Sequence, residues 1–476
     1  MGRQDQREGL TASSYDRVPY PGYPFAQTHP DRLATIATLL GLSPAPVTVC
    51  RVLELGCGDG GNLIPMAYGL PGSHFSGIDL SGAAVRRAAA VAGKLGLGNL
   101  DVRQADLAAL PELGTFDYVI AHGVYSWIAE KERDALLAAC RAHLAPAGVA
   151  YVSYDALPGG HLREITRQML RWHLRDVDEP ADRIAQARAL LGALAATAET
   201  ATGVQRTVAE QAARALEQRD PSLFHDELAE RHEAVLFADF AAHAERHGLR
   251  YLAEADFFEM TVPGPLAPAV AELDDPIERE QYLDFFKGRL FRQTLLCHAD
   301  VERREPDPAR VAGMFAASPA QPDGDPDAGR VTFRGPLGAS LTTDEPAAKA
   351  AMLALGAAWP DAVPVADLGG EPLHGLLLQA YAANLVQLHV WIPSLATAPS
   401  ERPVAGALAR LQAAEGTRVT NLRHATVEVP DDLGRRLITL LDGTRDRAAL
   451  LAELGRPAAE LESSLAGLAA AALLER

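Results

Sequence analysis

The segment from Arg51 to Asn62, RVLELGCGDGGN, constrains the fold more than any other part of the chain. Val52, Leu53 and Leu55 form a short apolar run of the kind found in buried parallel strands. Three glycines at alternate positions then let the backbone turn sharply and approach a ligand closely: Gly56, Gly58 and Gly60. Asn62 begins a helix, whose N-terminus favours electronegative groups. The segment therefore predicts a strand, a ligand-binding turn and a helix within an α/β fold.

A second acidic residue, Asp79, ends the next apolar strand. A carboxylate at this place can accept hydrogen bonds from both hydroxyls of a ribose, as it does in nucleotide-binding α/β folds. The glycine pattern itself is GxGxG preceded by Glu54, which differs from the dinucleotide pattern GxGxxG. The residues thus indicate a bound nucleoside, and a nicotinamide or flavin enzyme stays open at this point.

Composition excludes several classes of protein. The chain has 476 residues, enough for about three domains, and a formal net charge of −18, which argues against nucleic acid or an anionic membrane as partner. Its 4 cysteines show no metal-ligand spacing, so we predict buried thiols and no metal site. The polar start is no secretory signal, and no segment is apolar enough to span a membrane. We therefore expect a soluble, cytoplasmic protein.

Alternating strand and helix patterns predict a parallel sheet with right-handed crossovers. We place its strands at 51–55, 74–78, 100–104, 116–121 and 148–154. The fourth strand runs into the loop AHGVYSW, at the edge where α/β sheets bind ligands. His122, Tyr125 and Trp127 are thus candidate walls of a reaction pocket, although Trp127 equally fits a core aromatic at the start of a helix.

Before the sheet, residues 1–14 are expected to form a disordered lead. The following stretch, YDRVPYPGYPFAQTHP, contains too many prolines for a regular helix but is rich in aromatic residues. It predicts either a strap packed across the core or a lid over the ligand. In the second case a hydroxyl of Tyr15, Tyr20 or Tyr23 would reach the site.

Two further strands, within LRYLAEADFFEM and FRQTLLC, are predicted to join the same sheet as its sixth and seventh. The Ala-rich helical stretch before them then becomes an insertion into the catalytic domain. A Pro-, Asp- and Ala-rich stretch after them is typical of a linker. We divide the chain into a strap or lid (1–45), a ligand-binding domain (46–302) with an insertion at about 174–232, a linker (303–330), and two winged-helix-like domains (331–395 and 396–476).

Several motifs in this order resemble the class I S-adenosylmethionine (SAM) methyltransferases that carry a methyltransferase regulatory domain, a group that includes bacterial outer-membrane-protein lysine methyltransferases. The likeness rests on YDRVPYPGYPFAQTHPDRLA, VLELGCGDGGNL, FDYVIAHGVYSWI, LAPAGVAYVSYDALPGG and QYLDFFKGRLFRQTLLC. It covers roughly residues 15–300. After residue 330 only LLDGTRDRAALLAEL carries it.

The resemblance implies a seven-stranded Rossmann-like sheet with SAM at its switch point, a helical insertion, and α+β winged-helix-like domains after it. It also implies a homodimer. It carries cofactor contacts onto Tyr20, Glu54, Gly56, Gly58, Gly60, Asp79, Asp106 and His122. Asp106, after the third strand, would face the adenine. We add neighbouring residues to the expected cofactor site: Cys57, Asn62, Leu80 and Leu107.

The acceptor of the methyl group is less constrained. The family usually shows Asn and Trp where this chain has Asp155 and Gly160, and both positions border the substrate entrance. We expect a protein or peptide lysine as acceptor; a small-molecule O- or N-nucleophile and a non-catalytic SAM-binding scaffold are the alternatives. No residue is required as a base, and four are candidates for the catalytic step: His122, Tyr125, Tyr154 and Asp155.

Overall fold

A seven-stranded sheet organises the first 300 residues of the computed structural model, which describes residues 15–262 and 264–476. The expected lead at 1–14 lies outside the described residues. The strands are β1 (Arg51–Leu55), β2 (His74–Asp79), β3 (Leu100–Gln104), β4 (Phe116–Ala121), β5 (Leu144–Asp155), β6 (Leu249–Glu254) and β7 (Phe291–His298). Their order is β3-β2-β1-β4-β5-β7-β6, and β7 runs antiparallel to both its neighbours. The predicted sixth and seventh strands are thus confirmed as members of this sheet.

Among the described residues, the sheet domain and its insertion contain nine helices of seven or more residues. They are α1 (Pro30–Leu39), α2 (Leu63–Gly69), α3 (Gly82–Leu95), α4 (Glu130–His143), α5 (Gly160–His173), α6 (Pro180–Ala195), α7 (Val204–Glu217), α8 (Phe237–Arg246) and α9 (Pro276–Lys287). Ser81 caps α3, because its hydroxyl accepts a hydrogen bond from the amide of Ala84 at 3.1 Å. Within the described residues, no helix combines the length and apolar character needed to cross a bilayer.

The helical insertion has a small core of its own. Apolar side chains of α5, α6 and α7 meet there, and Leu170, Leu191 and Ala212 are fully buried. A π-helical turn, Leu223–Glu227, follows and brings the chain back to the carboxyl ends of the central strands. The insertion predicted at about 174–232 therefore lies between β5 and β6, beside the carboxyl ends of the central strands.

The predicted linker at 303–330 is wrong. Two short strands lie in it, β8 (Phe315–Ala317) and β9 (Gln321–Asp323), and Ala316, Ala317 and Ala320 are buried. Strands of three residues are shorter than any periodic pattern that a sequence can display. These strands belong to a middle unit with β10 (Val331–Arg334), β11 (Ser340–Thr343), α10 (Pro346–Ala358), β12 (Val363–Pro364), α11 (His374–Ala382) and β13 (Gln387–His389). Winged-helix character for residues 331–395 stays a prediction.

The last unit packs around a separate apolar core. Its elements are β14 (Val404–Ala405), α12 (Ala407–Glu415), β15 (Arg418–Thr420), β16 (Thr426–Glu428), α13 (Asp432–Leu440), α14 (Arg447–Leu454), α15 (Ala458–Ala470) and β17 (Leu474–Glu475). β14 pairs with β17, and β15 with β16, both antiparallel. This arrangement agrees with the winged-helix-like unit predicted at 396–476.

Buried polar contacts join the middle unit to the sheet domain. Asp31 on α1 accepts hydrogen bonds from the amides of Val390 and Trp391, both at 2.9 Å, and from His389 at 2.6 Å. These partners hold the pKa of the buried Asp31 carboxyl below its usual value. Because the apolar core is also continuous across this contact, α1 and the middle unit pack as one body.

Candidate functional site

A cavity of about 700 Å³ opens at the carboxyl ends of β1, β2, β4 and β5. One part of its wall is the glycine turn, and another is the strap formed by residues 15–28. The π-helical turn and α5 close the opposite side. Ligands of open α/β sheets bind at this edge, so the cavity lies where the sequence predicted the cofactor.

Asp79 projects into this cavity with its carboxylate already oriented. Oδ2 accepts a hydrogen bond from the amide of Gly58, and Oδ1 accepts one from the amide of Ser81, each at 2.8 Å. Burial raises the pKa of Asp79, and the two backbone donors oppose that effect. Each carboxylate oxygen has further acceptor capacity, so two adjacent hydroxyls can bind there.

Glu54 lies beneath the glycine turn and is almost fully buried. Its Oε1 accepts a hydrogen bond from Nδ2 of Asn62 at 2.8 Å, whereas its buried Oε2 has no partner among the described residues. Burial raises the pKa of Glu54 to about 8, with the hydrogen bond from Asn62 opposing the rise. A ligand that carries positive charge would lower this pKa and so favour the ionised form of Glu54, which lines the cavity.

Asn62 connects three parts of the chain. Its Oδ1 accepts hydrogen bonds from the amide of Phe25 at 3.0 Å and from Oγ1 of Thr28 at 3.1 Å, both in the strap. The same atom lies 2.9 Å from Nε2 of His424 in the C-terminal unit. Asn62 was predicted to begin the helix; its side chain does not cap it, but holds the strap and the last unit against the turn.

The glycines of the turn have different roles. Gly56 and Gly58 line the cavity, and Gly56 has a φ of +81° with its would-be Cβ 2.6 Å from Val124. Gly60 instead faces Ile64 and Ala88, where it allows α2 and α3 to pack closely. The structure therefore places Gly61, and not the predicted Gly60, at the cavity.

The strap crosses the glycine turn backbone against backbone. A Cβ on Gly61 would lie 2.3 Å from the carbonyl carbon of Gly22. Tyr15, Tyr20 and Tyr23 all line the cavity, as the lid interpretation predicted. The Tyr23 hydroxyl accepts a hydrogen bond from Arg418 at 2.8 Å, so its far end is tied to the C-terminal unit.

His122 faces the middle of the cavity at the end of β4. Its Nδ1 lies 2.9 Å from the hydroxyl of Tyr151, and its ring stacks on Phe25 with centroids 3.7 Å apart. Burial lowers the pKa of His122 to about 4. The imidazole is therefore neutral at pH 7 and does not repel a cationic ligand.

Other predicted cofactor residues also line the cavity: Cys57, Leu80, Asp106 and Leu107. Asp106 is exposed, and its Oδ1 accepts a hydrogen bond from the amide of Ala108 at 2.8 Å. Leu80 and Leu107 add apolar surface to the same cavity.

The structure does not bring Tyr125 and Tyr154 to the cavity. Tyr125 is buried against Phe240, with its hydroxyl 2.8 Å from Nδ1 of His243. Tyr154 stacks on Phe240, and its hydroxyl bonds Thr294 at 3.0 Å. Successive strand residues point to opposite faces of a sheet, so Tyr154 faces α8 while its neighbour Asp155 faces the cavity. Both tyrosines are core residues here, which corrects their prediction as catalytic candidates.

Asp155 lines the cavity, but its carboxylate is already paired. Oδ2 accepts from Arg163 at 3.0 Å and is also bonded to His232. Arg163 lies over the ring of Trp127, which lines the cavity as predicted. Gly160 has its would-be Cβ 2.4 Å from the Cβ of Ala234, so there is no room for a larger side chain.

Several cavity residues were not singled out from the sequence. They come from the strap, the end of β7 and the π-helical turn: Phe25, Phe291, His225, Asp226 and Glu227. The aromatic content of the strap pointed to Phe25 in general terms. The π-helical turn lies in an insertion whose register against the sheet no periodic pattern specifies.

Three family models match separate parts of the chain. One described as "Methyltransferase domain" matches residues 52–148. One described as "Predicted methyltransferase regulatory domain" matches residues 219–298. One described as "PKMT, C-terminal winged helix domain" matches residues 401–472. Their order follows the sheet domain, its returning strands and the last unit.

Relatives and solved structures agree with this order. Uncharacterized protein RP789 of Rickettsia prowazekii is 38% identical over 294 residues, 60% of this chain and 53% of that protein, so the chain spans about half of its length. Uncharacterized protein RP028 of the same organism is 31% identical over 246 residues, 50% of this chain and 96% of that protein. The structure of PKMT2 from Rickettsia typhi, solved alone and with AdoHcy, superimposes with a TM-score of 0.86 at 23% identity over 96% of this chain and 100% of that chain.

Proposed function

The chain belongs to the class I SAM-dependent methyltransferases that carry a methyltransferase regulatory domain, and we propose that it methylates the side-chain amine of lysine in a protein. The observation that carries this proposal is the carboxylate-lined half of the cavity beside the cofactor site. Asp155, Asp226 and Glu227 lie there, and Arg163 is their cationic neighbour. Such surroundings suit an ammonium group.

The residues present fit SAM. Asp79 would take the ribose hydroxyls, Asp106 the adenine amine, and the partnerless oxygen of Glu54 would offset the positive charge of the cofactor. When bound, SAM supplies a methyl group made electrophilic by its sulfonium. The chain has to bind and orient the acceptor amine, exclude water with the strap, and accept a proton. The uncharged His122 and the ring of Phe25, which stack on each other, form part of the cavity wall.

The large C-terminal half also supports a protein acceptor. The middle and C-terminal units contribute His389, Arg418 and His424 to contacts with α1, the strap and the glycine turn. A small-molecule enzyme would need only the sheet domain and a lid. The homodimer implied by the resemblance stays a proposal; Trp172, 69% exposed, and Met169 form an apolar groove on the insertion that a second copy would cover.

Purified protein incubated with methyl-tritiated SAM and an unfolded, lysine-rich polypeptide tests the function. We expect tritium in the polypeptide, recovered after acid hydrolysis as Nε-methyllysine. The matched control is the same polypeptide with its lysines acetylated, which should stay unlabelled because an amide nitrogen is not nucleophilic. In a parallel reaction with cell lysate, label confined to the small-molecule fraction would refute the lysine proposal.

Gly61→Ala should weaken SAM binding about 10-fold, as measured by calorimetry. The new Cβ has no space against Gly22, and overpacking of this kind costs about 1–3 kcal/mol. The strap must then move off the turn that binds the cofactor. Gly93→Ala is the control, because its Cβ meets no atom within 4 Å on α3. Equal SAM affinity in both variants would show that the strap does not close the site.

A further inference from the structure

The π-helical turn presents three consecutive polar side chains to the cavity: His225, Asp226 and Glu227. π-Helical turns of this kind occur frequently at functional sites. Contacts on both sides fix its position. Tyr15 of the strap stacks on His225 with centroids 4.3 Å apart, and His225 Nε2 bonds the carbonyl oxygen of Val18 at 2.5 Å. Arg167 on α5 donates to the backbone carbonyl of Asp226.

Asp226 differs from the other carboxylates of this wall. Arg163 is engaged by Asp155 at 3.0 Å and by Glu227 at 3.1 Å. Within the described residues, Asp226 forms no ion pair within 4 Å, and its Oδ2 has only a long contact of 3.5 Å from the hydroxyl of Tyr20. It is therefore an oriented carboxylate, half-buried in the cavity, with acceptor capacity to spare.

We propose that Asp226 and the Tyr20 hydroxyl form a subsite for the ammonium group of the substrate, and that Asp226 accepts one of its protons. This rests on the proposed function, because it assumes that the acceptor is a lysine amine. The proton passes from the ammonium nitrogen to a carboxylate oxygen of Asp226, which leaves a lone pair on nitrogen. That lone pair forms the new N–C bond as the C–S bond breaks, and the bonding electrons stay on sulfur.

The charges around Asp226 suit this task. Burial is the main cause that raises its pKa to about 7; Glu227 and Asp155 raise it further, whereas Arg163 and the Tyr20 hydroxyl oppose the rise. Burial likewise lowers the pKa of His225, so the adjacent imidazole is neutral at pH 7. An unperturbed lysine has a pKa of about 10.4 and is almost wholly protonated at pH 7. A carboxylate whose pKa lies near the working pH is an effective proton acceptor.

The test is single-turnover methylation of a lysine peptide by the full chain and by Asp226→Asn, followed from pH 6 to pH 10. At pH 7 we expect Asp226→Asn to be slower by about 100-fold or more. Its rate should then rise about tenfold per pH unit toward the pKa of lysine, while the rate of the parent protein levels off above pH 8. Affinity for SAM, measured by calorimetry, should stay within about threefold.

Asp239→Asn, an exposed carboxylate on α8, is the matched control and should behave as the parent protein. A deficit in Asp226→Asn that is the same at every pH would indicate a structural role and overturn the inference, as would equal rates. If the parent protein methylates no lysine peptide at any pH, the proposed function fails instead, and the inference fails with it.

Discussion

Replacing Asp79 by Ala is expected to weaken SAM binding by at least about 100-fold, to the point where calorimetry detects none. The Asp79 carboxylate is held by the amides of Gly58 and Ser81 so that its remaining lone pairs face the cavity. A hydrogen bond to a charged group contributes about 1.5–3 kcal/mol, and the substitution removes two such bonds to the ribose. It also removes the acceptor that fixes the glycine turn.

Asp101→Ala serves as the control for this change. Asp101 is an acidic residue on the neighbouring strand β3, and among the described residues its one ion pair is with the half-exposed Arg103. Its replacement should leave SAM affinity unchanged, because surface ion pairs contribute little. Circular dichroism should show that both variants keep the fold. Measurable SAM binding by a folded Asp79→Ala variant, within tenfold of the parent, would refute the assignment of this residue to the ribose.

Replacing Arg292 by Met is expected to lower the free energy of unfolding by about 3–5 kcal/mol, measured by urea titration. Arg292 on β7 is fully buried and binds three carboxylates, with Nη1 2.6 Å from Glu254, Nε 2.8 Å from Asp284 and Nη2 3.1 Å from Glu280. Its guanidinium also lies 3.8 Å from the ring centre of Phe237. Methionine has a similar length, so the loss is one of charge and hydrogen bonds more than of volume.

The loss should grow as the pH rises above the ordinary carboxyl pKa of about 4. Burial raises the pKa of Glu280 and Asp284 already in the parent protein, and Arg292 is the charge that most strongly opposes the rise. Without Arg292 the folded-state pKa of these groups rises further, so the unfolded state releases protons that the folded state retains as pH increases. Arg103→Met, at an exposed pair, should change stability by less than about 0.5 kcal/mol. An unchanged urea midpoint for Arg292→Met at pH 8 would contradict this account.

Much of the sheet domain could be predicted because most of the first five strands contain a short apolar run followed by a turn. Val52 to Leu55 and the apolar residues of β4 are buried as their patterns indicate, and helices α2 to α5 begin within a residue of their predicted starts. The ligand-binding edge follows from the same pattern, since parallel strands end on one side. Asp79 and His122 could be placed there on this ground alone.

The direction in which each side chain points was predicted less well than the positions of the strands. Tyr154 and Asp155 are adjacent, and only the true register of β5 decides which of them faces the cavity. Contacts between segments that are distant in sequence could not be predicted either. Asp226 meets Tyr20 across 206 positions, and Arg292 meets Glu254 across 38, with no local pattern linking either pair. Short strands in a Pro- and Asp-rich stretch, such as β8, looked like a linker for the same reason.

The position of Asn62 has a consequence for any attempt to shorten this protein. Its side chain is shared between Glu54, the strap and His424, so removal of residues after 400 would take away one of the donors to Asn62 Oδ1. The excised unit is distant in sequence from the glycine turn. Its removal would nevertheless perturb that turn as a substitution within the turn does. By linkage, a partner whose binding to the C-terminal unit changes the affinity for the cofactor has its own affinity changed by the same factor when the cofactor binds.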